Sequence, residues 1–247
     1  MRIPRIYSPV ILVAGQTVEL DAHAANHVGR VLRMQPEQAI ELFNGDGYDY
    51  PATLTDVSKK AVQVRVGEPV ANAAESPLRV HLGQVLSRGD RMDYAIQKSV
   101  EMGVDRITPL VSERCEVKLK GDREDKRLRH WQQVAISAAE QCGRAMVPTI
   151  EPVMTLDDWF VTTGEDDLRL VLHHRTEQSL TGLATPTRLA LLIGPEGGLS
   201  ESEIAAAEQA GFIAAALGPR VLRTETAPVA ALSICHWLWG DGQQHHS

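Results

Sequence analysis

The 247-residue chain is poor in cysteine, in aromatic side chains and in long apolar runs. Its three cysteines, Cys115, Cys142 and Cys235, are far apart and show no CxxC spacing. This argues against a disulfide scaffold and against a zinc site. No segment approaches the roughly 20 apolar residues that a membrane-spanning helix needs, and the first ten residues lack the apolar core of a signal peptide. We therefore expect a cytoplasmic protein with reduced thiols, no metal and no membrane partner.

An excess of basic residues is also lacking, since the formal net charge is −7. Taken over the whole chain, this argues against a nucleic-acid-binding protein. The charge is uneven, however. Residues 79–148 contain 13 Lys/Arg against 10 Asp/Glu, whereas residues 149–247 contain 5 against 13. A local basic face outside the acidic part is therefore possible, and RNA binding is permitted without being indicated.

The sequence divides into two parts by its patterns, and the first part is rich in predicted β-strands. Asp21 is placed to cap a short helix, and NGDG (44–47) is typical of a tight turn between strands. We predict a compact barrel over residues 1–70 and a linker of small residues over 71–78. Three segments alternate apolar and polar positions, as half-buried strands do. They are TVEL (17–20), AIELF (39–43) and AVQVRV (61–66).

The second part, residues 79–242, alternates predicted strands with predicted helices, which is the pattern of an α/β sandwich. Helices are predicted after Gly89-Asp90, ending near Gly103, and over residues 124–142. Two of the strands are nearly continuous apolar runs, typical of central parallel strands covered on both faces. The predicted strands are RVHLGQVL (79–86), DRITPLV (105–111), LRLVLHH (168–174) and TRLALLIG (187–194).

A glycine-rich turn follows the last of these strands in LLIGPEGGLSESE (191–203). Ser200 and Glu203 have the spacing of a helix capping box. The three glycines before them permit a ligand to approach the backbone closely, at the end of a strand where ligands of open α/β sheets bind. The alternative is a tight connection in which the glycines serve geometry alone.

The spacing of this turn excludes two familiar phosphate sites. A P-loop requires Gly-Lys-Ser/Thr, which does not follow here, and a dinucleotide fingerprint belongs early in the first βαβ unit. Glu196 would also repel a pyrophosphate. The ligand is therefore expected to be neutral or cationic.

A second glycine-bearing turn lies in ALGPRVLRTETA (216–227), again between a strand and a helix. Thr224 is predicted to cap this helix, with Pro228 in its first turn. The helix is apolar nearly all round, so it must be buried on several sides, by its own domain or by a second subunit. The two turns could form the walls of one small-molecule slot.

GPEGGLSESE followed by ALGPRVLRTETA resembles the C-terminal signature of the RsmE family, the bacterial 16S rRNA uridine N3-methyltransferases of the SPOUT superfamily. Cys115 and Cys142 stand where that family would have serine or another small residue, which puts no function in doubt. The resemblance covers nearly the whole chain. Its further blocks are QKSVEMGVDRITPLVSERC (97–115), AAEQCGRAMVP (138–148), HVGRVLRM (27–34) and ELFNGDG (41–47).

The resemblance implies an N-terminal PUA-like β-barrel and a C-terminal α/β domain of the SPOUT type with a trefoil knot. It implies a homodimer, which would account for the apolar final helix. The implied activity is methylation of N3 of a specific uridine in 16S rRNA of the small ribosomal subunit, with S-adenosylmethionine (AdoMet) as the cofactor. A catalytically silent RNA-binding or assembly factor is the alternative, and the intact second turn favours the enzyme.

The resemblance also implies site residues. Arg223 could stabilise negative charge on the uracil carbonyls, or instead contact a phosphate or a helix end. Glu196 could assist removal of the N3 proton, or simply hydrogen-bond the turn. The expected cofactor-binding residues are Leu172, His173, Ile193, Gly194, Pro195, Gly197, Gly198, Leu217, Gly218, Val221, Leu222 and Thr224. The candidates for RNA contact are Arg5, His27, Arg30, Arg33, Arg88, Arg91 and Arg144.

Overall fold

The computed structural model describes residues 3–58, 61–173, 175–176 and 178–243. His174, at the end of a predicted strand, and the last four residues, 244–247, which belong to a segment (242–247) expected from the sequence to be a frayed tail, lie outside them. The chain divides into two compact units. The first comprises Met1–Glu75 and Ala139–Val147, and the second Ser76–Ala138 and Pro148–Ser247. Residues 139–147, which the predicted bounds assign to the second domain, thus belong with the first unit.

The first unit is built on a six-stranded sheet in the order β1-β3-β4-β5-β2, with β6 paired to β4. All its pairings are antiparallel except that of β1 with β3. The three predicted strands are confirmed as β2, β3 and β5, and β4 fills the gap between β3 and β5. The strands are β1 Arg5–Tyr7, β2 Thr17–Glu19, β3 Ala39–Phe43, β4 Tyr48–Val57, β5 Val62–Val66 and β6 Val70–Ala71.

A short helix, α1 (Ala22–Asn26), follows β2 as predicted. Asp21 caps it, since its Oδ1 accepts a hydrogen bond from the amide of Ala24 at 2.8 Å. The helix continues as one π-helical segment, His27–Val31, whose inner residue Val28 is fully buried against the sheet. Arg30 of the same segment is exposed.

The second unit contains a seven-stranded sheet in the order β10-β8-β7-β12-β11-β13, with β9 also paired to β8. Every pairing in it is parallel. The α/β class and the four predicted strands are confirmed. The strands are β7 Arg79–Val85, β8 Arg106–Val111, β9 Thr149–Ile150, β10 Met154–Thr155, β11 Leu168–Leu172, β12 Arg188–Ile193 and β13 Ile213–Ala215.

The helices of this part begin and end largely where the sequence predicts. They are α2 Arg91–Glu101, α3 Asp122–Cys142, α4 Leu156–Thr162, α5 Glu201–Gln209 and α6 Thr226–Trp239. Gly103 follows the end of α2 with a φ of +87°. The predicted capping box of α5 is present, because the Ser200 amide donates to Glu203 Oε2 at 2.8 Å and the Glu203 amide to Ser200 Oγ at 3.3 Å.

The prediction that Thr224 caps the last helix is wrong. The residue before α6 is Glu225, which makes no side-chain capping bond. The hydroxyl of Thr224 instead donates to the carbonyl of Gly194 at 2.9 Å. The Thr224 hydroxyl therefore bonds a residue that is distant in the chain and does not cap the helix.

Aromatic rings fill the core on one side of the second sheet. Trp159 of α4 is fully buried, and its ring centroid lies 5.5 Å from that of Phe212 and 5.3 Å from that of His81. Its Nε1 donates to His81 Nε2 at 3.0 Å. Burial, aided by the charge of Arg106, lowers the pKa of His81 to about 3, so this imidazole is neutral. The aromatic core thus contains one uncharged hydrogen-bonded pair, Trp159 and His81.

The final helix, α6, is buried on one side only within the chain. Ala231, Leu232 and Cys235 are fully buried, whereas Ile234 is 38% and Trp237 57% exposed. The described part of the chain contains no helix that is both long and apolar enough to cross a membrane.

Candidate active site

A cavity of about 690 Å³ lies at the carboxyl ends of β11, β12 and β13. The last residues of these strands, Leu172, Ile193 and Ala215, all line it. Because the strands are parallel and adjacent, the turns that follow them emerge at the same edge of the sheet. The cavity volume is within the range of small-molecule sites.

The twelve residues expected to bind a cofactor all line this cavity. Of the remaining predicted residues, Arg223, Glu196 and Arg91 also line it. The structure therefore brings together, from three separate stretches of chain, the two glycine turns and the end of an earlier strand.

The first wall is the turn Gly194–Gly198. Gly198 has a φ of +69° and donates its amide to the carbonyl of Pro195 at 2.9 Å, which closes the turn. A Cβ on Gly194 would come within 3.1 Å of Leu199 Cγ, so a side chain here would crowd Leu199. The three glycines thus carry no side chain into the cavity, and Pro195 and Glu196 are the residues of this wall that do have side chains.

The guanidinium of Arg114, which also lines the cavity, supports this wall. Its Nη1 donates to the carbonyl of Gly197 at 3.1 Å and to that of Leu199 at 3.4 Å. The residue lies just after β8, and we did not predict it as a site residue. Its only sequence signal is its position in the SERC stretch after a predicted strand.

The second wall runs from Ala216 to Glu225. Gly218 has a φ of +94° with open space where a side chain would lie, so the chain turns there without obstruction. Val221 is 74% exposed, whereas Thr224 is buried and bonded to the first wall. The two walls are therefore tied together at the base of the cavity and open toward its mouth.

Glu196 projects from the first wall toward α2, and it is an ion-pair partner. Its Oε1 lies 2.7 Å from Arg91 Nη1 and accepts a hydrogen bond from the amide of Arg88 at 3.3 Å. Partial burial acts to raise its pKa, but hydrogen bonds from its own backbone amide, from Arg91 and from Arg88 outweigh it, and the pKa is lowered. A carboxylate with a lowered pKa is a poor proton acceptor near neutral pH.

Five arginines line the cavity against three glutamates. Arg175, Arg220 and Arg223 are exposed, and within the described residues their guanidinium groups have no hydrogen bond or ion pair. The mouth is therefore locally cationic although the surrounding segment is acidic. Arg175 and Arg220 were not predicted, since arginines beside a turn carry no periodic signal. The five are Arg91, Arg114, Arg175, Arg220 and Arg223, and the glutamates are Glu196, Glu201 and Glu225.

The structure contradicts the prediction of RNA contact for two arginines, Arg144 and Arg5, because both form ion pairs within the first unit. Arg144 is almost fully buried, with Nη2 2.7 Å from Glu75 Oε2. The mostly buried guanidinium of Arg5 pairs with Glu41, and with Asp49 at 2.9 Å. Burying a cation requires such partners, so neither group is available to a phosphate.

The other predicted RNA contacts are accessible to different degrees. Arg30 and Arg33 in the first unit are exposed, and His27 is half-buried. Arg88 is exposed and pairs with Glu116. The described residues contain no group of acidic, histidine or cysteine side chains that could hold a metal ion.

Two family models match the chain. One, an RNA methyltransferase domain, covers residues 74–236, and the other, an RNA methyltransferase PUA domain, covers residues 20–67. Ribosomal RNA small subunit methyltransferase E of Buchnera aphidicola is 36% identical over 97% of this chain and 95% of its own length. The protein of the same name from Bacillus subtilis is 30% identical over 88% of each chain.

Two solved structures are similar over almost their whole length. A putative methyltransferase of Legionella pneumophila with bound SAM has a TM-score of 0.94 and 42% identity, covering 98% of this chain and 100% of that chain. Ribosomal RNA small subunit methyltransferase E of Neisseria gonorrhoeae, bound to S-adenosyl methionine, has a TM-score of 0.92 and 40% identity, covering 97% and 99%.

Proposed function

The chain belongs to the RNA methyltransferase family that includes ribosomal RNA small subunit methyltransferase E, and from this we propose that it methylates N3 of one uridine in 16S rRNA, with AdoMet as the methyl donor. One observation carries the proposal. The residues that the family resemblance assigns to the cofactor line one cavity, in a fold shared with two SAM-bound proteins.

The cavity fits AdoMet in chemistry as well as in size. The backbone of the turns 194–198 and 217–224 offers donors and acceptors to the adenine edge, and Leu172 and Ile193 offer apolar contact. Glu201 and Glu225 supply negative charge near a sulfonium. AdoMet supplies the methyl group and the positively charged leaving sulfur. The chain's own contribution is to hold the donor and the base in line.

Methylation at N3 joins the methyl carbon to N3 and breaks its bond to sulfur, and the N3 proton leaves. As that proton leaves, negative charge develops on the two uracil carbonyls. The guanidinium of Arg223, which is exposed on the second wall and unpaired among the described residues, is the group that we assign to stabilising this charge. Glu196 keeps Arg91 in place, and water takes the proton.

The rRNA is held outside the cavity by exposed basic side chains. Arg30 and Arg33 lie on the first unit, which the PUA model matches, and Arg88 lies just before α2. Phosphate contacts of this kind position an RNA without reading its sequence.

The proposal includes a trefoil knot and a homodimer, as in the family that the sequence resembles. The knot is proposed from that resemblance, because the strand order β12-β11-β13 also occurs in unknotted open sheets. The exposed Ile234 and Trp237 on α6 support the dimer, since a second copy would cover them.

Methyl transfer with small subunits from cells that lack the protein tests the activity. Purified protein with labelled AdoMet should place one label per subunit, recovered as 3-methyluridine after nucleoside digestion. Label in another nucleoside would refute the N3 assignment. Binding to subunits without any label would favour the silent assembly factor.

Arg223→Gln tests the catalytic assignment. Losing one charge-stabilising donor should lower kcat by about 10²- to 10³-fold, with the AdoMet Kd from calorimetry unchanged. The control is Arg127→Gln, which removes an exposed cation on α3, away from the cavity. A normal kcat in Arg223→Gln would show that another group stabilises the uracil.

A further inference from the structure

A buried amide links the two walls of the cavity from behind. Gln84, near the end of β7, is fully buried and does not line the cavity. Its Nε2 donates to the carbonyl of Val85 at 3.2 Å and to Thr224 Oγ1 at 3.1 Å. Thr224 Oγ1 in turn donates to the carbonyl of Gly194 at 2.9 Å. These hydrogen bonds link β7 to the second wall, and the second wall to the first.

The direction of these bonds is fixed by the groups themselves. The Gly194 carbonyl can only accept, so the single hydroxyl proton of Thr224 is used there. The hydroxyl oxygen must then accept from a donor, and the amide NH₂ of Gln84 is that donor. Removal of either side chain leaves the Gly194 carbonyl, at the start of the first wall, without the anchored donor.

The setting of Gln84 is otherwise apolar. Leu82, Val85 and Ile193 around it are buried, and Gln84 pairs with Ile193 across the strands. Its Oε1 has no hydrogen-bond partner among the described residues. An apolar side chain of the same shape would avoid the cost of burying that unsatisfied oxygen. Packing alone therefore gives no reason for a glutamine at this position.

We propose that Gln84 is a positioning residue that sets the separation of the two cavity walls through Thr224 and the Gly194 carbonyl. This inference rests on the proposed function, because the walls are those of the AdoMet cavity. The amide acts before the ligand arrives: it holds the second wall against the first, so AdoMet need not order them on binding.

Gln84→Met, which keeps the length of the side chain and removes its donors, tests the proposal by calorimetry and steady-state kinetics. We expect the AdoMet Kd and KM to rise about 2- to 12-fold, the range of one neutral hydrogen bond, with kcat at saturating AdoMet nearly unchanged. Thr224→Val should weaken AdoMet binding to a similar extent, and Thr224→Ser, which retains the hydroxyl, should weaken it less.

The double variant tests whether Gln84 acts only through Thr224, which we call a relay, or whether the two residues affect binding independently. In a relay, Gln84→Met combined with Thr224→Val should weaken AdoMet binding no more than Thr224→Val alone. Additive losses would overturn the proposal. The control is Ser99→Ala, which removes another fully buried hydroxyl of the second unit, on α2, and should leave the AdoMet Kd unchanged.

The outcomes also distinguish this inference from the proposed function. Wild-type protein that binds no AdoMet would refute the function itself. Wild-type binding together with an unchanged Kd in folded Gln84→Met, verified by circular dichroism, would refute only the role of Gln84. If Gln84→Met does not fold, equal affinities of Thr224→Val and Thr224→Ser would refute it.

Discussion

At Glu196, hydrogen-bond donors surround a carboxylate that the sequence alone offered as a base. Arg91, the amide of Arg88 and its own backbone amide all favour its charged form. Glu196 thus holds the neighbouring guanidinium of Arg91. The type of residue was predictable, but its partners, more than 100 residues away in the chain, were not.

Glu196→Gln is expected to leave methyl transfer nearly intact. The amide oxygen still accepts a hydrogen bond from Arg91, so the geometry persists while any base is removed, and we expect a change in kcat of less than about tenfold. Loss of a general base would cost about 10²- to 10⁴-fold. Single-turnover rates across pH 6–9 measure the difference. A loss of that larger size would return Glu196 to the catalytic role.

His81 is expected to make stability depend on pH. The unfolded imidazole binds a proton below about pH 6.5, whereas the folded one stays neutral until about pH 3. The stabilisation is therefore complete above pH 6.5 and falls as pH decreases toward 3. The free energy of unfolding should drop by about 2 kcal/mol between pH 6.5 and pH 5 from this group.

Urea unfolding at several pH values measures that slope. His81→Phe should be less stable at neutral pH, because Trp159 Nε1 loses its acceptor, but its pH slope should be shallower. An equal slope in both proteins would mean that His81 is not the titrating group.

At the scale of elements, the start of α5 connects stability to the cavity. Its capping box follows directly on the first wall. Ser200→Ala should lower the free energy of unfolding by about 1 kcal/mol and should also weaken AdoMet binding, because the wall loses its fixed end. Urea unfolding and calorimetry measure the two effects.

Thr155→Ala provides a matched comparison. Thr155 caps α4 by accepting from the Asp158 amide at 3.2 Å, and it does not line the cavity. A similar loss of stability with unchanged AdoMet affinity is expected. Weaker binding in both variants would attribute the effect to general destabilisation.

Elements with a strong local signal were predictable, and those fixed by distant partners were not. The apolar runs of β11 and β12 and the Ser200–Glu203 spacing confirm the first statement. In β4, Pro51 and the acidic residues hide the alternation that buries Tyr50, Ala52 and Leu54. Thr224 has the spacing of a cap, but it bonds Gly194, which no local pattern encodes.

On the scale of the whole molecule, the exposed side of α6 predicts self-association. Trp237 is 57% exposed on a helix that is apolar nearly all round. Buried aromatic anchors of interfaces typically contribute 2 kcal/mol or more, which is a factor of about 30 in Kd. Trp237→Glu should therefore weaken a dimer at least that much, as measured by sedimentation equilibrium.

Val161→Glu provides the control, since Val161 is 82% exposed but lies on α4. We expect this variant to associate as the wild type does. A monomeric wild-type protein at micromolar concentration, or equal association of all three proteins, would contradict the proposed homodimer.

The bond between Gln84 and Thr224 spans 140 residues of sequence. A nascent chain therefore completes β7 and β8 long before the residue that closes the cavity is synthesised. Contacts between such distant segments also form late in folding, because a long loop must be closed first. Under the proposed function, AdoMet binds and stabilises only chains that are translated and folded at least to Ala227, the last residue of the cavity lining. The methyl donor would then act as a checkpoint for the completed enzyme.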